Sequence, residues 1–171
     1  MKPLHFLYLF LLYVLAGAAG LAGTFEEHPF FKAVTGNWIG EGELVSKEGK
    51  TIQVREVWKG KVNPDGTFSI SGKREWGEDI QEFTWSFSHN PSTDLYECEY
   101  SHSGMENPLR LEVSVTDKRA VLTAPFGESG GELVITNALV GETMEGEVLL
   151  KDGNGVESLK GKVIHARGKK E

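Results

Sequence analysis

The sequence has one cysteine, Cys98, so no intramolecular disulfide can staple the fold and stability has to come from a buried core. In "LYECEY" an extended chain puts Cys98 on the same side as Tyr96 and Tyr100, with Glu97 and Glu99 opposite, which fits a small buried hydrophobe better than a reactive thiol. Basic charge is also scarce. The formal net charge is -7, and no run of Lys and Arg is longer than two residues, the C-terminal Lys169-Lys170 included, so nucleic acid and anionic membrane surfaces are not expected partners.

Catalytic and metal signatures are missing as well. His28, His89, His102 and His165 lie far apart, without the His-x-x-x-His spacing or cysteine partners of a zinc site. "DGNG" supplies Asp152 and Asn154 but no third ligand or distal glutamate, so it reads as a hairpin turn rather than a calcium loop. "GESGG" puts Ser129 in a flexible turn without the strand-to-helix context of a nucleophile elbow. No metal, cofactor or enzymatic activity is expected on these grounds.

Long hydrophobic runs are confined to the N-terminus. Lys2 and His5 precede an apolar run from Phe6 to Leu15, followed by Ala16-Gly17-Ala18-Ala19-Gly20. This has the form of a secretory signal peptide over residues 1–23, with cleavage between Ala18 and Thr24. The run is shorter than the roughly 20 residues that cross a bilayer, so no stable membrane insertion is expected after cleavage. Because Lys2 is the only charged residue lost, the net charge passes from -7 to -8. The expected mature chain, 24–171, is one domain in a secreted or periplasmic compartment, and its composition leaves the oligomeric state open.

What is present is alternation. From Trp38 onward apolar residues recur with period two, interrupted by "SKEGK", "NPDG", "HNPSTD", "SGMENP", "TDKR", "FGESGG" and "KDGNG". Strands are predicted near 38–46, 51–60, 67–76, 80–88, 95–102, 109–115, 119–124, 131–137, 142–150 and 156–167, preceded by a short helix within 26–34. About ten hairpin-linked strands with no helical layer to cover them are best served by closure, which removes exposed edges. The fold class is therefore all-β, an antiparallel up-and-down β-barrel with a short N-terminal helix.

One hairpin can be read residue by residue. "NPDG" at 63–66 has the composition of a type I turn whose last glycine takes the left-handed conformation. That register pairs Val62 with Phe68, Gly60 with Ile70, Trp58 with Gly72, Glu56 with Arg74 and Val54 with Trp76. Glu56 and Arg74 then meet on the inward face, where each supplies the partner the other needs. Phe83, Trp85, Phe87, Tyr96 and Tyr100 also face inward. These aromatics can line a cavity or fill it, and strand count does not separate the two. The ligand-binding candidates are Trp58, Arg74, Glu56, Trp85 and Tyr100, and the ligand a small apolar or amphipathic molecule whose acidic head group would meet Arg74.

In "GNWIGEGEL", Trp38, Gly40, Gly42 and Leu44 share the inner face, while Glu41 and Glu43 point to water. A short helix followed by Gly-x-Trp on the first strand resembles the lipocalin-like (calycin) barrels. The resemblance implies a structural motif of Gly36, Trp38, Gly40 and Gly42, with Arg167 packed over Trp38. The longer match, through "GNWIGEGEL", "NPDGTF" and "HNPSTDLYECEYSHSGMENPLRLEV", is to exported bacterial lipocalin-like domains of unknown function of the DUF1579 type, a family that implies a fold but no catalytic residues. The opening also resembles the nitrobindin-like haem barrels, which would make His165 in "VIHARG" a haem ligand. A core or rim histidine is the alternative, as is a structural envelope protein with a filled core.

Overall fold

The computed structural model describes residues 24–169, and the export segment expected at 1–23 lies outside the described residues. After a turn at Thr24–His28 the chain forms α1 (Pro29–Val34) and ten strands: β1 (Gly36–Ser46), β2 (Thr51–Val62), β3 (Phe68–Trp76), β4 (Asp79–Asn90), β5 (Leu95–His102), β6 (Leu109–Thr116), β7 (Arg119–Phe126), β8 (Gly131–Val140), β9 (Thr143–Lys151) and β10 (Glu157–Arg167). Each strand pairs antiparallel with its sequence neighbour, and β1 closes on β10. The expected closed up-and-down barrel is what forms, and among the described residues no helix is long and apolar enough to cross a membrane.

Local chemistry sets the elements. Proline at the start of α1 needs no N–H partner, and His28 caps the helix by accepting from the Phe30 N–H through Nδ1. The helix is shorter than the segment expected, because Phe25–Glu27 form a turn instead. Gly66 sits at φ +82° and closes the "NPDG" turn with its N–H to the Asn63 carbonyl. The β2–β3 register is the one read from the sequence, Glu56 opposite Arg74 and Trp58 opposite Gly72.

Two apolar clusters fill the barrel. At one end α1 acts as a plug, with Phe31 packed against Phe25, Phe68, Phe87 and Tyr96 at centroid separations of 4.6–5.6 Å. Cys98 belongs to this cluster and is 1% exposed, and burial pushes its thiol pKa upward. A smaller cluster of Leu44, Val54 and Val163, flanked by Trp76, Val148 and Leu159, lies toward the far end. Between the two is a polar layer.

Arg167 ends the last strand where the lipocalin-like resemblance puts it. Its guanidinium stacks 4.3 Å from the Trp38 ring and donates to the Ala33 and Thr35 carbonyls at the C-terminal end of α1. Glu41 and Glu43 are exposed, as their place in the alternation requires.

Candidate functional site

Four side chains from four strands form the polar layer. Arg74 on β3 donates from Nε to Glu56 Oε1 at 2.5 Å and from Nη1 to the Tyr100 hydroxyl at 3.0 Å. Glu56 on β2 uses its other oxygen, Oε2, 2.9 Å from His165 Nε2, while His165 Nδ1 lies 3.3 Å from the Met144 carbonyl. Both imidazole nitrogens thus face acceptors. Burial opposes ionisation of Glu56, but the His165 hydrogen bond and the Arg74 charge outweigh it and hold the carboxyl below its usual range. Burial likewise opposes the charge on Arg74, which its Glu56 partner more than restores. Burial raises the pKa of the Tyr100 hydroxyl, which therefore stays protonated and able to donate.

The contact between Glu56 and His165 depends on a glycine. β1 runs between β2 and β10, and Gly40 is the register partner of both Glu56 and His165. With no side chain at 40, the two flanking side chains meet over the backbone of β1. A Cβ on Gly40 would fall 2.6 Å from His165 Nε2 and 3.0 Å from Val163 Cγ1. Gly40→Ala should therefore destabilise by about 1–3 kcal/mol, the range for overpacking a filled interior. A guanidinium titration showing no loss would mean that the ring moves aside freely.

The layer borders a partly open cavity of about 80 Å³, also lined by Trp58, Ile70, Phe83, Trp85, Ile135 and Asn137. Its aromatic wall comes from β2–β4 and its aliphatic wall from β7–β10. Free ligand pockets are usually about 300–1,000 Å³, so this one is head-group sized, with room for two or three waters at about 30 Å³ each. The sequence left cavity and filled core open, and the structure is closer to filled. Beyond the cavity, at the end opposite α1, the inward Trp76, Leu109, Leu133, Leu150 and Leu159 are only half-buried. A larger concavity of about 1140 Å³ lies on the outer face of β4–β7, lined by Ser86, Glu97, Glu99, Arg110 and Glu112. It is open to solvent and shares none of the buried polar groups.

All five ligand-binding candidates face inward. Glu56, Trp58, Arg74 and Trp85 line the cavity, and Tyr100 joins them through Arg74 and a 4.3 Å ring contact with Trp85. The haem alternative fits poorly, because His165 is 4% exposed with both nitrogens turned to acceptors, which leaves none to ligate iron. Sequence reasoning missed the Glu56–His165 bond and Asn137. The signal for the first was there, a glycine in β1 flanked by inward polar residues on both partners, but it becomes visible only once the barrel is closed. Among the described residues no group of three His, Cys, Asp or Glu side chains is placed to hold a metal ion.

No family model and no curated protein matches the chain. Solved structures do. A protein of unknown function from the DUF3598 family of Nostoc punctiforme superimposes over 80% of this chain with a TM-score of 0.53 at 11% identity, and the chain spans 48% of that protein's length. An S-type phycobiliprotein lyase from Guillardia theta superimposes over 82% of this chain and 91% of its own, with a TM-score of 0.55 at 8% identity. The likeness is one of fold, and a closed ten-stranded barrel fits the lipocalin-like (calycin) architecture. The second neighbour corrects one expectation. The lack of catalytic motifs pointed to a barrel that is not an enzyme, yet a protein of this architecture carries the name of a lyase, so the missing motifs do not exclude catalysis.

Proposed function

We propose that the protein is a lipocalin-like binding barrel for a small amphipathic carboxylate, with the acid group held at Arg74 and the apolar part directed toward the end opposite α1. One observation carries the reading. A guanidinium has five N–H donors, and Arg74 spends one on Glu56 and one on Tyr100, so three are left beside the cavity. The geometry points the same way, since Glu56 divides its two oxygens between Arg74 and His165 and engages only the Nε of the guanidinium, leaving the Nη edge for an incoming carboxylate. Stacking of Arg74 over Phe83, 4.9 Å from the ring, orients the fork without using its donors.

The half-buried Trp85, Tyr100, Leu133 and Leu150 give the apolar part a path. The export-type N-terminus and the "GNWIGEGEL" and "NPDGTF" motifs support placing this barrel outside the cytoplasm, in the periplasm or secreted, among proteins of the DUF1579 type.

Tryptophan fluorescence tests the reading, since Trp58 and Trp85 line the cavity. Octanoate should bind and 1-octanol should bind much more weakly. Arg74→Gln should weaken octanoate by about 10- to 100-fold, the worth of a charge-assisted hydrogen bond of about 1.5–3 kcal/mol, while leaving 1-octanol unchanged. Arg74→Lys, which keeps the charge, serves as the folded control. Equal affinity for acid and alcohol in the wild type would sink the head-group assignment.

A further inference from the structure

Asn137 is the one inward polar side chain on β7–β9, among Leu122, Ile135, Leu139, Met144 and Val148. Asparagine is disfavoured within strands, and this half-buried carboxamide, whose polar atoms are not sealed from solvent, takes a hydrogen-bond partner from the fold, from water or from a ligand. The fold does not supply that partner. Its side chain makes no hydrogen bond to another described residue, although it lines the same cavity as Arg74.

The neighbours explain why it is left bare. Its two register partners are Ala120 and Gly146, neither with a side chain long enough to cover it. Gly146 in turn pairs near Val163 on β10, and a Cβ there would lie 3.1 Å from Asn137 Oδ1 and 3.3 Å from His165 Cε1. So this glycine opens a view from Asn137 toward the polar layer, as Gly40 does for Glu56 and His165. The amide faces the cavity from the wall opposite the aromatic strands.

We infer that Asn137 is a specificity-determining residue that reads a second polar group on the ligand, a hydroxyl or oxo group close to the carboxylate. This rests on the head-group reading of Arg74. The cavity is about 80 Å³, so a group that meets Asn137 while the acid meets Arg74 sits within a few atoms of it, at the second or third carbon. A carboxamide offers both a donor and an acceptor, and it therefore accepts either a hydroxyl or a carbonyl. The ligand class is a hydroxy- or oxo-carboxylate with an apolar tail.

The experiment compares octanoate, 2-hydroxyoctanoate and 3-hydroxyoctanoate by fluorescence titration in the wild type and in Asn137→Leu. The wild type should prefer at least one hydroxy acid by about tenfold or more, because the unsubstituted acid leaves the amide unpaired. Asn137→Leu should erase that preference while octanoate affinity stays within about threefold. Thermal unfolding of the same variant identifies a merely structural role, in which stability changes and the ratio does not. Should Asn137→Leu fail to fold, Asn137→Ala, which only removes atoms from the wall, reads the same ratio. Octanoate binding without preference, or a preference that survives in the variant, overturns the inference and leaves Arg74's role standing. If none of the three acids binds, both readings fall.

Discussion

Replacing Glu56 with alanine is expected to lower unfolding free energy by about 3–5 kcal/mol, the range for removing one partner of a buried ion pair. The size follows from what is left behind. Glu56 is 7% exposed and is shared by Arg74 and His165, so its loss leaves the Arg74 guanidinium without its counter-charge and the His165 ring without its partner. Glu56→Gln keeps the shape and removes the charge. It should fall between wild type and alanine, because its amide still offers one acceptor but turns a donor toward either Arg74 or His165. A guanidinium titration with an unchanged slope checks the comparison, and a loss below about 1 kcal/mol for Glu56→Ala would show that the pair is solvated.

The same group sets an acid limit. The carboxyl pKa in the folded protein is depressed below the ordinary 4.5. A depressed carboxylate pKa contributes stability that is fully present above the unfolded value and is lost as pH falls through the folded value. The wild type should therefore lose stability below about pH 4.5 more steeply than Glu56→Gln, which cannot take up that proton.

How much of this was legible follows the distance over which the residues act. The β2–β3 hairpin was readable to the residue, because "NPDG" fixes the turn and period-two alternation fixes the faces on either side of it. Glu56 opposite Arg74 came out of that local logic. Strand existence was legible throughout, and the ends differ by only a few residues: β8 runs on to Val140 because Ala138 and Leu139 continue the pairing with β9 beyond the last clear alternation.

His165 is another matter. It lies 109 residues from Glu56 and reaches it only because β10 closes on β1 in a register that sets Gly40 between them. The glycines of "GNWIGEGEL" were read as places where a strand coils or another segment approaches, which is right but incomplete. Gly40 also lets two side chains from non-adjacent strands touch, and Gly146 leaves open the space between Asn137 and His165 on the other side of the ring. Asn137 escaped for a different reason. A lone asparagine in "ELVITNALV" carries no pattern, and its place becomes meaningful only when its neighbours prove too small to cover it.

Trp38→Ala should cost about 3–5 kcal/mol, the range for truncating a buried aromatic, and should loosen α1 as well as the barrel. Trp38 is 2% exposed and stacks on its register partner Trp58 at 5.5 Å and 18°. Its indole N–H donates to the Val34 carbonyl at 3.1 Å, and that carbonyl lies so close to Gly60 that a Cβ there would overlap it. Removing the ring therefore creates a cavity and leaves the last carbonyl of the helix without its donor. Trp38→Phe keeps part of the ring contact but not the N–H, so the difference between phenylalanine and alanine measures packing and that between tryptophan and phenylalanine includes the tether. Arg167→Ala, which removes a solvent-exposed cation from the outer face of the same ring, should cost only about 1 kcal/mol. Amide exchange should separate the two effects: in Trp38→Ala the amides of α1 and the plug exchange faster than those of β4–β6, whereas in Arg167→Ala the acceleration stays near Ala33–Thr35. A larger loss from Arg167→Ala than from Trp38→Ala would mean that the cation, not the buried indole, fastens the plug to the barrel.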